Sequence, residues 1–237
     1  TTYPVTSTRM PNTDLKPERT KSWEAGLDFV LFKNRLKLNA TLYSSQTYNQ
    51  FFTVELPSSS GYTSVIVNGG RVDNKGIELS ARYTQKLGQV NWESYLTWTL
   101  NRNKIKELLR EWKNPEDGQV YSLSELDMGG SGAYKMRLTE GGTLGDIYVN
   151  TLATDEHGAI YVDPVSQEVR AESNKYVKAG HSTPNYNLSW GNSFSWKGLT
   201  GSFLFTYRNG GIVVSETQAM LNAFGASKES ADARNAG

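Results

Sequence analysis

The sequence predicts an all-β fold made of long antiparallel hairpins. Three observations predict it. Apolar residues recur at every second position over long stretches, the period of a strand with one face buried. The arms of these stretches run to about ten residues, beyond the usual strand of about 5–6. Tight turns alternate with long connections along the chain.

The first hairpin occupies about 22 to 48. Trp23, Ala25, Leu27, Phe29 and Leu31 alternate with Glu24, Gly26 and Asp28, with Val30 and Phe32 near the end. After Lys33-Asn34-Arg35 the pattern resumes, Leu36, Leu38, Ala40 and Leu42 against Lys37, Asn39, Thr41 and Tyr43. A period of two sends the two sets to opposite faces, and arms of this length match the 9–11 residues of a tilted strand crossing a bilayer. The second hairpin, about 76 to 100, sets Ile77, Leu79, Ala81 and Tyr83 against Glu78, Ser80 and Arg82. It turns at Lys86-Leu87-Gly88-Gln89 and returns through Val90, Trp92, Ser94, Leu96, Trp98 and Leu100, which alternate with Asn91, Glu93, Tyr95, Thr97 and Thr99. Trp92 and Trp98 lie six residues apart on one face, roughly 20 Å at about 3.3 Å per residue. That separation suits opposite edges of an apolar band about 25 Å tall; two tryptophans in a sandwich core is the other reading. The third hairpin, about 185 to 209, aligns Leu188, Trp190, Phe194 and Trp196, interrupted by Asn192, and after Lys197-Gly198 sets Phe203, Phe205 and Tyr207 against Ser202, Thr206 and Arg208, with Leu204 breaking the polar side. The expected lipid-facing residues are therefore Trp23, Phe29, Trp92, Trp98, Phe203, Phe205 and Tyr207. The expected lumen-facing residues are Glu24, Asp28, Glu78, Arg82 and Glu93.

The connecting regions read differently. Residues 1–21, with Pro4, Pro11 and Pro17, form a loop entering the first strand. Residues 46–75, with Pro57-Ser58-Ser59-Ser60-Gly61, predict a long loop. Ile105, Leu108, Leu109 and Trp112 follow i, i+3, i+4, i+7 spacing and predict a short amphipathic helix, set in a loop that runs through Pro115-Glu116-Asp117-Gly118 and Gly129-Gly130-Ser131-Gly132. Weaker strand signals lie at Tyr134–Leu138, Ile147–Leu152 and Ala159–Val162, the last two flanking a turn at Asp155-Glu156-His157-Gly158. The tail after Gly210 is helix-compatible. Aromatic residues expected in these loops, Tyr48, Phe51, Phe52, Tyr62, Trp112, Tyr121 and Tyr134, are candidates for stacking on a ligand; packing the loops against each other is the plainer role for each. Short turns on one rim and long loops on the other is the layout of bacterial outer-membrane barrels. A soluble β-sandwich binding module, of carbohydrate-binding or adhesin type, is the alternative.

Composition removes other classes. The 237 residues are 37% hydrophobic with a formal net charge of +1, which lacks the basic face that nucleic acid requires. With no cysteine there is no disulfide, thiolate metal site or cysteine nucleophile, and two histidines do not make a histidine-rich metal site. No run of about 18 apolar residues predicts a membrane helix, a test that does not bear on transmembrane strands. Neither a signal peptide at the start nor an amphipathic closing strand at the end is legible, which predicts an internal piece of a longer chain. Glu24 and Asp28 share a strand face at roughly 13 Å, too far for a glycosidase pair; a wetted interior explains them. Asp155-Glu156-His157-Gly158 lacks the alternating ligands of a calcium loop. Gly69-Gly70 and Gly141-Gly142 lack the Walker lysine. No enzyme, metal or cofactor is expected.

The stretch LKPERTKSWEAGLDFVLFKNRLKLNATLY at Leu15–Tyr43, followed by NGGRVDNKGIELSARY at Asn68–Tyr83, resembles the late barrel segment of SusC-like TonB-dependent outer-membrane transporters. The matching residues are Leu15, Lys16, Pro17, Glu18, Thr20, Ser22, Glu24, Gly26, Leu27, Asp28, Asn34 and Arg35, then Asn68, Gly70, Asn74, Gly76 and Glu78. Glu140-Gly141-Gly142 with Gly145-Asp146-Ile147-Tyr148 is a third, weaker match. A calcium run common in the family reads DPVSQEVR here and carries no site over. The resemblance implies that residues 1–237 are part of a transmembrane β-barrel with long extracellular loops, with the plug domain, N-terminal strands and final C-terminal strand absent. It implies import of oligosaccharides or peptides across the bacterial outer membrane, driven by the TonB complex through the absent plug and TonB box, with a SusD-like lipoprotein as partner and the lipid bilayer as surroundings.

Overall fold

The computed structural model describes residues 8–56, 60–114 and 118–236. The expected loop residues Thr1–Ser7, Pro57–Ser59 and Pro115–Asp117 lie outside them. The chain begins with a short strand β1 (Arg9–Met10) and continues through β2 (Arg19–Leu31), β3 (Leu36–Glu55), β4 (Ser64–Leu87) and β5 (Val90–Glu107). Then come β6 (Leu109–Lys113), β7 (Val120–Leu123), β8 (Glu125–Gly130), β9 (Tyr134–Thr139), β10 (Asp146–Leu152) and β11 (Ala171–His181). The last elements are β12 (Tyr186–Trp196), β13 (Leu199–Asn209), α1 (Glu216–Ala223) and α2 (Lys228–Ala236).

Three sheets result. The largest has the order β13-β12-β5-β4-β3-β2, with β1 pairing β4 in parallel; a separate four-stranded sheet runs β11-β10-β9-β8, and β6 pairs β7. All other strand pairs of the large sheet are antiparallel, as the alternation predicts. The three tight turns are there. Phe32, Lys33 and Asn34 take positive φ in the first, Gly88 in the second and Lys197 and Gly198 in the third. A two-residue link with both φ positive matches the right-handed twist of the strands it joins.

β3 and β4 are 20 and 24 residues long. A 24-residue strand is roughly 75 Å at about 3.3 Å per residue, against about 10 residues needed to cross a bilayer. The surplus corrects the expected loop at 46–75: the two strands stay paired as far as Glu55↔Ser64. Polar residues such as Ser44 to Gln50 resemble a loop, but a strand whose two faces are both polar has no apolar alternation to show. The chain's packed core sits in this upper part, where Phe52, Val54, Val65, Val67, Val72, Ile105, Leu108, Leu109 and Leu138 are buried with Met10 and Leu56.

The expected helix at Ile105–Trp112 is also corrected. Ile105 lies in β5, and Leu109 and Trp112 lie in β6. Ile105 donates its N–H to Gly142 O at 2.9 Å and accepts from Gly141 N at 2.8 Å, while its strand pairs with β4 on the other side. Pairing on both edges outweighs a modest helix propensity. Leu108, between the strands, crosses the backbone of Gly69 and Gly70. The Ala159–Val162 signal reduces to isolated bridges, Thr154↔Ile160 and Val162↔Val169. β7 and β8 correct the loop expected through residues 115–132, β1 interrupts the one expected over residues 1–21, and β11 forms where no strand was expected.

The two sequence motifs meet here. Asn68 Oδ1 accepts the Lys16 N–H at 2.5 Å, and its Nδ2 donates to Lys16 O at 2.7 Å and Asn49 O at 2.9 Å. Asn68 thus ties the LKPE segment to the β3–β4 hairpin. At Gly70, φ is +78° and an added Cβ would sit 2.6 Å from Glu107 O and 2.8 Å from Leu108 O; at Gly61, φ is +74° and nothing lies within 4 Å. In the refolded protein, Gly61→Ala should cost only the left-handed backbone strain, about 1–2 kcal/mol. Gly70→Ala should cost clearly more, because backbone must move. Urea midpoints measure this, and equal losses would contradict it.

Candidate functional site

The register decides which side chains share a face. On one face of the large sheet, Phe29, Leu38, Ala81, Leu96, Trp190 and Phe205 form a cross-strand row. The next row is Leu27, Ala40, Leu79, Trp98, Leu188 and Tyr207. All seven residues expected to face lipid, Trp23, Phe29, Trp92, Trp98, Phe203, Phe205 and Tyr207, lie on this face. Their rings interlock: Trp190 meets Phe203 at 5.8 Å and Phe205 at 6.1 Å, Trp92 stacks on Phe194 at 6.3 Å, and Tyr186 joins Trp98 to Tyr207. Yet the face is open, with Trp23 60% and Phe205 63% exposed.

The opposite face is polar. Glu24, Asp28, Glu78, Arg82 and Glu93, the residues expected to face a lumen, all lie there, in register with Tyr43, Asn39, Thr41, Lys37 and Thr84 respectively. Arg82 bridges to Glu93 at 2.8 Å, and Asn39 donates to Asp28 at 2.7 Å. Tyr43 lies over Gly76 and Tyr95 over Gly191, each directly across the ladder, so that a side chain at either glycine would strike the ring. Val30 and Leu204 are the apolar residues on this side.

Above the sheet, the polar face of β3 leads into a groove of about 530 Å³ lined by Thr53, Glu55, Leu123, Glu125, Leu126, Asp127, Met128 and Arg137. Arg137 grips Asp127 at 2.6 Å through Nε, reaches Glu125 at 3.2 Å, and Lys135 adds a bond to Asp127 at 2.8 Å. The Lys135 ammonium lies 4.5 Å from the Tyr176 ring centre and the Arg137 guanidinium 5.4 Å from that of Tyr148. The Arg137 hydrogen bond holds the Asp127 carboxyl below the usual carboxylate range, and Lys135 assists. Nearby, burial pushes the Asp146 carboxyl up, but Lys178 at 2.5 Å and Thr143 outweigh it and hold it low.

The aromatic ligand candidates fare unevenly. Of the seven, Tyr62 lies in a connection, between β3 and β4. Tyr48, Phe51 and Phe52 belong to β3, Trp112 to β6, Tyr121 to β7 and Tyr134 to β9. Phe52 is buried in the core and has no surface to offer a ligand, a correction that follows from strand pairing continuing through it. Trp112 packs on Tyr121 at 5.7 Å, and Trp112 and Tyr62 lean on the core. Phe51 is half exposed, on the polar-face side of β3 beside Thr53. Arg137, Lys135, Tyr148 and Tyr176 were missed. They are charged or single aromatic residues in strands with no clean alternation, and only tertiary pairing gathers them.

A twisted sheet with one mainly apolar face, one mainly polar face and tight turns along one rim is a wall of an outer-membrane-type β-barrel. The TonB dependent receptor-like, beta-barrel family matches residues 1–202, and this chain belongs to that family, one of receptors rather than of enzymes. TonB-dependent receptor P3 of Formosa agariphila is 27% identical over 98% of this chain and 24% of its own length. TonB-dependent receptor P39 of the same organism is 30% identical over 44% of this chain and 10% of its own length. The chain thus spans about a quarter of P3. In fold it agrees with the RagAB peptide transporter, with a TM-score of 0.63 at 22% identity over 84% of this chain and 21% of that one. It also agrees with the RagAB peptide importer in its 'open-open' state, with a TM-score of 0.55 at 22% identity over 83% and 21%. The resemblance drawn from the LKPE and NGG motifs is borne out.

Because the folded-state Asp127 carboxyl titrates below its unfolded value of about 4, it favours the folded sheet above that value. This contribution fades as pH falls through the lower, folded value. Protection of β8 and β9 amides in the intact receptor, taken relative to the intrinsic exchange rate at the same pH, should therefore fall on acidification below about pH 4, and Asp127→Asn should be less protected at neutral pH with that acid step reduced. An unchanged acid step in Asp127→Asn would contradict the assignment.

Proposed function

We propose that this chain is a section of the transmembrane wall of a TonB-dependent importer in the bacterial outer membrane, its apolar face in lipid and its polar face lining the lumen. The observation that carries the reading is the open, predominantly apolar face of six strands, interrupted by Ser94 and Asn192, set against a polar one interrupted by Val30 and Leu204. Apolar patches on soluble monomers reach only a few hundred Å², and a soluble sandwich would lay a second sheet on this face. Among the described residues the other two sheets gather at the upper end and leave it open. In the family resemblance the tight turns point to the periplasm. The groove beside Asp127 and Arg137 then opens towards the outside, above the lumen, where it meets a peptide or oligosaccharide first. Its mixture of apolar Leu123, Leu126 and Met128 with paired charges suits either class. A SusD-like lipoprotein would close over this end, and TonB would act through a plug outside these residues.

Two predictions test this. In assembled full-length receptor, Phe205→Arg should lose about 2–4 kcal/mol of stability to denaturant, the cost of arginine on the lipid face near the midplane. Thr206→Arg, directed into the lumen, should lose much less; equal losses or the reverse order would contradict the assignment of faces. Uptake assays should show that Arg137→Glu, which breaks its grip on Asp127, lowers transport at unchanged receptor abundance. Unchanged transport would remove the groove from the substrate path.

A further inference from the structure

We propose that Lys75, Arg102 and Lys104 hold the phosphate of an anionic lipid headgroup in the leaflet away from the tight turns, an inference that rests on the membrane-wall reading above. Register puts the three together. Lys75 on β4 stands directly opposite Arg102 on β5, and Lys104 follows two residues further along β5. Trp23, Ser44, Lys75 and Arg102 make one cross-strand row. Residues two apart on a strand share a face. The three cations therefore stand on the same side as Ile77, Leu79, Trp98 and Leu100, and all three are exposed.

Their depth follows from the length of the apolar run. On this face of β5 the side chains from Val90 to Leu100 are apolar, interrupted only by Ser94. Ten residues rise roughly 25 Å at about 3.3 Å each and a tilt of about 40°. The apolar band of an outer-membrane barrel is about 25 Å tall. Arg102 is the next residue on that face after Leu100, and Lys75 beside it is the next after Ile77. Both steps lead out of hydrocarbon into the headgroups. Trp23, in the same row, stands where an aromatic ring suits the boundary.

Their charge calls for an anion. Like charges directly across a ladder repel, and Lys75 and Arg102 are such a pair, with Lys104 diagonal to Lys75. Among the described residues none of the three forms an ion pair with a carboxylate. The nearest acids in register are already engaged. Asp73, directly opposite Lys104, accepts two hydrogen bonds from Arg71 at 2.8 and 3.0 Å and is 8% exposed. Glu107 lies 3.5 Å from Arg110. Arg102 donates to the Asn185 amide oxygen at 3.5 Å, a long bond that leaves most of its donors available. A guanidinium offers two parallel N–H groups to phosphate oxygens, and each ammonium adds a point charge. A phosphate seated between the two strands meets all three and removes the repulsion that the chain itself leaves in place.

The test uses full-length receptor, delipidated in detergent and titrated in native mass spectrometry at low ionic strength. One titrant is dioleoyl phosphatidic acid. The other is dioleoyl phosphatidylcholine, which has the same chains and a phosphate neutralised by choline. Each cation near a membrane surface is worth about fivefold in binding an anionic lipid. Wild type should therefore prefer phosphatidic acid by about tenfold or more, and Lys75→Gln or Lys104→Gln should each lower that preference about fivefold. Equal wild-type affinity for the two lipids would overturn the proposal without recourse to any variant. Lys86→Gln removes the same charge at the turn end of β4 and should leave the preference intact. An equal fall there would reduce the effect to general attraction and overturn the site. Inorganic phosphate in excess should leave phosphatidic acid bound; its displacement would overturn the assignment to a lipid. Flotation with phosphatidylcholine liposomes separates this inference from the one beneath it. Receptor that floats but shows no preference loses the phosphate site alone, whereas wild type that does not float loses the wall as well.

Discussion

A hydrogen-bond register without slips fixes the face of each side chain in the two-faced part of the large sheet; the one shift of its β4–β5 ladder falls beyond that part, between Arg71 and Val72. From Leu36↔Tyr83 to Tyr48↔Arg71 the β3–β4 ladder has no slip, and β12 pairs β13 residue for residue over its whole length. Because side chains alternate with a period of two, a slip of one residue would carry Glu24, Asp28 and Glu93 to the apolar face and bury Trp23 and Phe29 among polar groups. The tight turns at 32–35, 88–89 and 197–198 hold that register, since left-handed residues at such links leave little room for a different loop length. The backbone needs the ladder for another reason: in hydrocarbon an unpaired N–H or C=O has no partner, so a spanning strand must be paired.

The same strands serve two solvents in succession. Where the sheet is two-faced, side chains on its apolar side touch one another but no second layer of the described residues covers them, and their surroundings have to come from outside the chain. Further along β3 and β4 protein covers one face, with Phe52, Val54, Val65 and Val67 buried against Met10, Leu108 and Leu109, while Phe51, Thr53 and Glu55 on the other stay exposed. This upper region is a small protein core of ordinary kind. It depends on close backbone approach at Gly69 and Gly70, where the chain leaves β5, and on Asn68, which secures Lys16. The NGG signature is thus explained by packing: an amide to tie one segment and two residues without side chains to let another pass.

Much of this was legible in the sequence, and the physical reason is alternation. The three hairpins and the division into two faces follow from period two, because one face had to be apolar from Trp23 to Leu31 and from Phe203 to Tyr207. Where the strands leave the two-faced region, the signal vanishes. Ser44 to Gln50 and Arg71 to Lys75 are strand without alternation, and Ile105–Trp112 imitates a helix because a bent strand happens to bury residues at helical spacing. The groove was not legible at all. Arg137, Asp127, Tyr148 and Tyr176 come from four strands of a sheet separate from the wall, and no local pattern relates them. The family motifs located the upper region correctly but gave no physical account of it; the contacts of Asn68, Gly69 and Gly70 do.

The claim on which the account rests is that one face of this sheet meets lipid and the other water. The chain has no cysteine, so a single nitroxide label can be introduced at each position from Leu199 to Asn209 of otherwise cysteine-free receptor in liposomes. Collision rates with oxygen, concentrated in hydrocarbon, and with a water-soluble nickel chelate then report the surroundings of each side chain. The account predicts oxygen maxima at Phe203, Phe205 and Tyr207 and nickel maxima at Ser202, Leu204 and Thr206, alternating with a period of two. Loss of the alternation, or its inversion, would contradict it.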